Sequence, residues 1–570
     1  MILKALCDYY DRKRDDLPAK GVEAKQIGFL AVLDENGNFL RFEDRRIDKN
    51  SAQTFYVAQA VARSINKAAN YLWDNAAYVF GYVKEGKNES KIKECNALFV
   101  DRIEKAYALA PDNSALKALH LFYSKGHEEC MKAITNDPLW PEIEKNLNKK
   151  YANFSFLIEG DSQIVAEQED LLHFASEEVK HGNEAICLVT GERSEPVRTT
   201  TPTMIAGSRS NAKLVSFQTD QGYDSYGKTQ AYNAPISAEA EFKFSTALKH
   251  MLSADSKNKF LVGNRTYLFW ASSQSEASKI TESGVFALFG ISNNAGNPDE
   301  GVLSVRKVFE SVYSGKIPYR SDDRFFILGL APNAARIAVS YWYDLPIRDF
   351  AAKILLHFED MEIIDTRKDK KPYRGLRSIL SAVTLGGKTS DVIPSLPDPV
   401  LKSIFQGIPY PYTLLDACIA RIRAEQQVGI TRAAILKAYL NRLRNNTKKI
   451  NVMLDKENVN QGYLCGRLFA VLDKIQQDAK NVRTIKDRYM NAASATPASV
   501  FSTILNLSSH HSEYLSEGQK VFYEKLKQEI IDKISPNGFP AHLDLQDQGR
   551  FFVGYYHQMQ DFYTSHKDNE

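Results

Sequence analysis

The chain has 570 residues, 44% hydrophobic and 25% charged, with a formal net charge of +3 at neutral pH. That length exceeds what one core organises and predicts two or three domains of ordinary globular composition. No apolar run is long enough to span a bilayer, the opening MILKALCDYYDRKRDD has no signal-peptide core, and the six cysteines (Cys7, Cys95, Cys130, Cys187, Cys418 and Cys465) form no C-x-x-C pair. A membrane span, a secretory leader and a zinc ribbon are therefore not expected, and a cytoplasmic chain with reduced thiols is.

In chain order, a short helix precedes IGFLAVLDENGNFLRFEDRR, where two apolar runs flank Asp34-Glu35-Asn36-Gly37 in the pattern of a β-hairpin. TFYVAQAVARSINKAANYLWDNAAYVFGY predicts a helix with Val61, Ile65, Ala68 and Leu72 on one stripe. Arg63, Lys67, Asn70 and Asp74 would then share the opposite face. Strands are expected in NFSFLIEG, EAICLVTGE, KLVSFQ and KFLVGNRTYLFWAS, with a further one in DDRFFILGLAPNAARIAVSYWYD. From about residue 345 the pattern is helical, and GGKTSDVIPSLPDPV (386–400) is the candidate linker. The expected fold class is α+β: a mixed α/β N-terminal region with a mostly antiparallel sheet (1–390), then an all-helical C-terminal bundle (400–570). Positive charge is local, with eight basic residues and one acid in RIRAEQQVGITRAAILKAYLNRLRNNTKK (421–449) and six against one in RKDKKPYRGLR (367–377).

GYDSYGKT (222–229) spells the P-loop pattern G-x-x-x-x-G-K-[ST]. That motif works only where a buried strand feeds the loop and a helix starts at the lysine, so that backbone N–H groups wrap phosphates. Here QTDQ separates the nearest apolar run from Gly222, and Pro235 would break a helix begun at Lys228 in its second turn. Tyr223 and Tyr226 set rings where phosphates approach. The match reads as chance spelling, with a P-loop ATPase over Gly222–Thr229 kept as the alternative. His510 and His511 lack the spacing that puts two ligands on one helical face, and His557 lies among aromatics in GRFFVGYYHQMQDFY, which suits packing. No G-x-S-x-G or H-E-x-x-H occurs. No catalytic residue, metal site or cofactor is expected, and the chain is expected not to be an enzyme.

CLVTGE (187–192), LVSFQTDQGYDSYGKTQAYNAPIS (214–237) and YLFWAS (267–272) resemble the large subunit of the type I-C CRISPR Cascade complex. MILKALCDYYDR with IGFLAVLDENG, ANYLWDNAAYVFG, GIPYPYTLLDACIARIRAE, GRLFAVLDKIQQDA, IKDRYMNAASATPASVF and GYYHQMQDF resemble the same family in the same order. The resemblance covers nearly the whole chain. It implies a non-catalytic subunit of a crRNA-guided complex in which guide pairing supplies sequence recognition. The large subunit would read a protospacer-adjacent motif (PAM) in duplex DNA, promote R-loop formation, hold the non-target strand and help recruit a helicase–nuclease. The implied partners are a crRNA-containing ribonucleoprotein with backbone, handle-binding and small subunits, target double-stranded DNA, its displaced single strand and the helicase–nuclease, with no membrane. A small subunit made by internal initiation is also implied. Met453, alone between Met361 and Met490, would begin a product of residues 453–570. A stand-alone nucleic-acid-binding scaffold is the remaining alternative. The chain departs from the family at AGSRSNA (206–212), where members carry a Gly-Gln-Ser-Gly-like loop, so Arg209 replaces an amide, and at Gln218, where Asn is commoner.

Four sets of residues fit that function. Arg63 and Lys67 offer cations to phosphates and Asn70 an amide to base edges, the alternative being a solvated face paired with Asp74. Gly207 permits close backbone approach, with Ser208, Arg209 and Asn211 as short-range donors, the alternative being an ordinary turn. Lys228 and Gln230 suit phosphate, while Tyr226 and Tyr232 suit stacking or a core. Lys437, Arg444 and Lys448, spaced by seven and four, would share one helix face beside Ile435, Leu436, Tyr439 and Leu443, with Arg421, Arg423 and Arg432 on preceding turns. This set suits a cationic track for the displaced strand or a subunit contact.

Overall fold

The computed structural model describes residues 1–61, 68–83, 88–172, 174, 184–218, 222, 224, 226–253, 255–289, 302–367, 375–388, 391–444, 449–482 and 484–564. The chain divides into two compact units, one of residues 3–201 with 216–250, the other of 202–215 with 251–570.

The first unit opens on helix Ile2–Arg12 (α1), followed by strands Val22–Gln26 (β1), Phe29–Leu33 (β2), Phe39–Asp44 (β3) and Thr54–Ala58 (β4). Helices Ala76–Val79 (α2), Glu89–Leu109 (α3), Ser114–Ser124 (α4), His127–Thr135 (α5) and Trp140–Asn146 (α6) lead to strand Phe154–Ile158 (β5). β2 is central, antiparallel to β3 and parallel to β5, and all five of its residues are buried. Burial on both faces is why FLAVL is a continuous apolar run rather than an alternation. The expected hairpin is β2–β3, its turn fixed by Asp34, whose carboxylate accepts N–H groups from Asn36 and Asn38 at 2.9 and 2.7 Å. The core behind the sheet is aromatic, with Phe154 5.6 Å from Phe29 and 5.2 Å from Phe80.

Residues 62–67, the middle of the helix expected over TFYVAQAVARSINKAANYLWDNAAYVFGY, lie outside the described residues, and the described parts on either side do not form it. Thr54–Ala58 is β4, paired antiparallel to β1, with Phe55 and Val57 buried and Thr54 and Tyr56 exposed. Asp74 exchanges backbone hydrogen bonds with Phe154 at 3.1 and 2.7 Å, Ser155 donates to the Leu72 carbonyl and the Trp73 indole donates to that of Ala58. Tertiary partners take the backbone groups that a helix would have paired internally, which overrides a pattern of correct helical spacing. Only Ala76–Val79 is helical in this stretch among the described residues.

Glu169–Leu172 (α7), the two-residue strands Ala185–Ile186 (β6) and Arg193–Ser194 (β7), and Ala238–Leu252 (α8) complete this part of the chain. EAICLVTGE thus contributes one short strand, and KLVSFQ none beyond an isolated bridge from Lys213 to Arg336.

The second unit begins with strands Lys259–Val262 (β8) and Arg265–Ala271 (β9), helices Glu276–Phe289 (α9) and Val302–Tyr313 (α10), and strands Arg324–Asn333 (β10) and Arg336–Pro346 (β11). KFLVGNRTYLFWAS and DDRFFILGLAPNAARIAVSYWYD are therefore both hairpins, assembled into an antiparallel sheet of order β11-β10-β9-β8. From Ile347 onward the described chain is helical: Ile347–Met361 (α11), Leu376–Ala382 (α12), Pro397–Gln406 (α13), Tyr412–Glu425 (α14), Ile430–Asn441 (α15), Gln461–Lys480 (α16), Thr484–Ala495 (α17), Phe501–Ser512 (α18), Glu517–Ile531 (α19) and Leu545–Asp561 (α20). The fold is α+β with a helical C-terminal region, as expected. The compact units part near residue 250, whereas Val392, Leu396 and Val400, in the stretch read as a linker, are buried in the core that joins the sheet to the helices. Phe350 carries that core across, stacked 4.5 Å from Phe325 and tilted against Phe405 at 5.5 Å.

α16 and α20 cross at backbone contact. A Cβ added at Gly466 would lie 1.9 Å from the Phe551 carbonyl oxygen, and one at Gly554 would lie 2.3 Å from that of Tyr463. Polar side chains in the crossing are paired across it: Arg467, fully buried, donates to Gln558 at 3.1 Å, and the Tyr463 hydroxyl lies 2.9 Å from His557 Nδ1, while Arg467 also reaches Glu529 of α19 at 3.0 Å. Burial pulls the His557 imidazole down to about 3, so it packs as a neutral ring. Among the described residues, no helix is long and apolar enough to cross a membrane.

Candidate nucleic-acid interface

Residues 202–213 of the second unit form a lobe clipped to the tip of the β10–β11 hairpin. Thr203 N–H donates to the Ala212 carbonyl at 2.9 Å and closes the lobe on itself. Arg209 N–H donates to the Ala334 carbonyl at 3.1 Å, and Ile337 N–H to that of Lys213 at 3.0 Å, which fix it to the hairpin. Gly207 takes φ +79°, and a Cβ added there would lie 3.4 Å from the Pro332 ring, so the lobe turns closely over the hairpin as its glycine requires. Ser208 belongs to the turn itself: its hydroxyl donates to the Ile205 carbonyl at 2.9 Å and accepts the Ile205 N–H at 3.1 Å. Arg209, Ser210 and Asn211 are exposed. Arg209 carries its charge on a backbone that is already hydrogen-bonded, with no carboxylate partner among the described residues.

Lys228 and Gln230 lie in the first unit. Lys228 is exposed, and Gln230 is part of the scaffold: its side-chain oxygen accepts from Arg198 Nε at 2.8 Å. Asn233 Nδ2 donates to the carbonyls of Lys228 and Gln230 at 3.1 and 3.0 Å. After Lys228, Thr229 is extended and a single 3-10 turn, Gln230–Asn233, follows, while the next α-helix starts only at Ala238. No strand is formed among residues 213–218 ahead of it. The strand–loop–helix frame on which a phosphate-binding P-loop depends is not built around Gly222–Thr229 in the described residues.

Arg63 and Lys67 lie outside the described residues. Asn70 does not stand on a solvated helix face. It is 5% exposed, its side-chain oxygen accepts the Val61 N–H at 3.1 Å, and its own N–H donates to Asp74 at 2.9 Å.

The expected cationic track in the C-terminal helices is corrected in most of its members. α15 is a core helix, buried at every position from Ala433 to Leu440. Lys437 is 3% exposed and donates to the carbonyls of Asp360 and Glu359 at 3.0 and 3.3 Å, at the C-terminal end of α11. Burial pulls its ammonium below the usual lysine range. α15 ends at Asn441, so exposed Arg444 lies past the helix and does not share a face with Lys437, and Lys448 lies outside the described residues. Arg421 and Arg432 both pair with Glu425, Arg432 Nε also donates to the Ala382 carbonyl at 2.8 Å, and Arg423 donates to Gln548 at 2.8 Å. Seven-and-four spacing identified a common face only for as long as the helix continued; Lys437 and Arg432 are taken by carbonyls of neighbouring helices, Arg421 by Glu425 of its own helix and Arg423 by the Gln548 amide.

Sequence reasoning missed Arg442. Its guanidinium pairs with Asp360, donates to the carbonyls of Ser403 and Ile408, and lies 4.5 Å over the Tyr410 ring. Its position just beyond the end of α15 was the available signal.

Among the described residues no three His, Cys, Asp or Glu side chains gather as a metal cluster, and all six cysteines are buried free thiols. No curated protein matches the chain. A family model described as CRISPR-associated protein (Cas_Csd1) matches residues 6–563, so the chain belongs to that family, in agreement with its resemblance to the large subunit of type I-C Cascade.

Proposed function

We propose that this chain is the subunit of a type I-C Cascade complex that reads the PAM in duplex DNA, promotes R-loop formation, holds the displaced strand and helps recruit the helicase–nuclease. Membership in a CRISPR-associated family gives it the context of a CRISPR effector complex. The observation that carries the DNA-reading role is the 202–213 lobe, which sets Arg209 and Asn211 outward on a rigid hairpin tip. A guanidinium and an amide are the side chains that read base edges and phosphates, and a fixed backbone lowers the entropy cost of using them. In this reading the chain contributes no catalytic step, and Lys228 supplies a phosphate contact. Within the assembled complex, Arg209→Ala is expected to weaken binding of a PAM-containing duplex by about tenfold, the value of one base-edge contact. Lys228→Ala should lower the slope of log affinity against log salt by about one. Both are measured by titrating labelled targets at several salt concentrations. Equal losses on a complementary single strand, which needs no PAM, would assign these residues to assembly instead.

The same reading includes an internally initiated small subunit. Met453 is 60% exposed in the turn between α15 and α16, so Met453→Ala removes a start codon without opening the core. A product of residues 453–570 retains the α16–α20 crossing and uncovers the surface of α20 around Gly549 that Leu415, Leu436 and Leu440 cover in the full chain. Intact mass of the complex purified from the single gene should show a species starting at or near Met453 that the Met453→Ala gene no longer yields. An active complex without it ends the idea.

A further inference from the structure

Tyr226 is fully exposed, at 100% of its reference surface, and its backbone takes φ +52°. The two features oppose ordinary selection for stability. A tyrosine buries a large apolar ring when it can, and the left-handed region sets its Cβ against the following carbonyl, a strain that glycine or asparagine avoids. The next most exposed aromatic among the described residues, Tyr514 at 65%, has Lys480 packed 4.6 Å over its ring.

The segment just beyond the tyrosine is held firmly. Gln230, also left-handed at φ +50°, is clamped by Arg198 through its side chain at 2.8 Å, and Ala231 N–H donates to the Arg198 carbonyl at 3.1 Å. Asn233 ties down the carbonyl of Lys228. Gly227 takes φ +71° with open space where a side chain would be, and among the described residues none covers the Tyr226 ring, which keeps its full reference exposure. An aromatic face presented to water beside an exposed lysine is the pairing used to hold an unpaired nucleobase and its phosphate.

We infer that Tyr226 is a stacking platform for a nucleobase of the displaced strand, unpaired when the target duplex opens, with Lys228 on the adjacent phosphate. The inference rests on the proposed DNA-reading role and adds to it the contact that favours the open duplex over the closed one. Strain and exposure at this one residue are then the local cost of keeping the ring available.

The test uses the assembled complex, three targets and three variants. The targets are a matched duplex with its PAM, the same duplex with a pre-unpaired stretch beside the PAM, and the complementary strand alone. Tyr226→Gly should lose on the order of tenfold in affinity for the first two, which both carry the displaced strand, and nothing for the third. Tyr226→Phe and Tyr226→Trp should retain binding, since each keeps an aromatic face. Tyr226→Gly should also melt no lower than the parent chain, because it relieves the left-handed strain and deletes no contact among the described residues. A 2-aminopurine base stepped along the displaced strand should be quenched at one position by the parent and not by Tyr226→Gly. An equal loss on all three targets would overturn the proposal by making the residue part of assembly, as would an unchanged duplex affinity. If Arg209→Ala still weakens the duplex while Tyr226→Gly does not, the stacking inference fails alone. A complex that binds none of the targets overturns the DNA-reading role and this inference with it.

Discussion

Gly466→Ala is expected to destabilise the second unit by about 3 kcal/mol or more, as forced overpacking of a tight core does when neighbours cannot move aside. The added methyl would lie 1.9 Å from the Phe551 carbonyl oxygen and 3.0 Å from its Cα, all backbone of α20. A flexible side chain would swing away, but a helix backbone moves only as a body. Relief requires α16 and α20 to part by more than an ångström, which strains the buried Arg467–Gln558 bond and loosens the Phe469–Phe551 contact at 5.7 Å. Gly518→Ala is the matched control. Gly518 is an exposed position in the first turn of α19 with open space around it, and alanine there should be neutral or stabilising by up to about 1 kcal/mol through helix propensity. Chemical denaturation of the two variants beside the parent chain measures both. Similar midpoints for Gly466→Ala and Gly518→Ala would mean that the helices do not meet at backbone contact.

The sequence carried the hairpin around Asp34, the strand Phe154–Ile158 and the helical region after residue 346, because each is written in local pattern: apolar runs bounded by turn residues, or long stretches of helical period. It misled where a short pattern was outvoted by distant partners. Val61, Ala68 and Leu72 have helical spacing and are not helical among the described residues, because Trp73 and Asp74 bind Ala58 and Phe154, and no local feature announces those contacts. Lys437 failed for the opposite reason. A lysine between alanines and leucines looks like a surface residue on an amphipathic helix, but its partners are backbone carbonyls about eighty residues away, at the end of α11. In the 202–213 lobe the residue types were legible and their division of labour was not: Arg209 and Asn211 are exposed while Ser208 holds the turn, and in the first unit Gln230 holds a separate turn beside exposed Lys228. Side-chain chemistry alone does not separate a residue that reads a ligand from one that positions its neighbour.

Arg442→Met is expected to cost about 3–5 kcal/mol at neutral pH, the usual penalty for stranding one member of a buried ion pair. The side chains of Arg442 and Asp360 are 6% and 10% exposed, and the guanidinium also serves the carbonyls of Ser403 and Ile408. Methionine fills much of the volume but leaves Asp360 without its guanidinium partner and takes one donor from each of the Ile408 and Ser403 carbonyls, the latter keeping the Gly407 N–H at 3.1 Å. Burial already holds the Asp360 carboxyl above its ordinary value, with Arg442 opposing the shift. Removing Arg442 lets it rise further, which fixes the sign of the pH dependence. In the variant the folded state binds a proton more readily than the unfolded state, so its stability falls as pH rises and its deficit shrinks as pH is lowered toward the unfolded carboxylate range. The double variant Arg442→Met with Asp360→Leu removes both charges and should recover most of the loss even at neutral pH, since an apolar pair of similar volume often replaces a buried ion pair without penalty. Lys437 keeps its bonds to the backbone carbonyls of Asp360 and Glu359 in both variants, so the end of α11 stays anchored and the comparison isolates the pair. Urea denaturation at neutral and mildly acidic pH reads all of this. A single variant that loses less than about 1 kcal/mol, the range of a surface ion pair, or a deficit that grows on acidification, would mean that solvent reaches Asp360 and that the pair does not hold α15 to α11.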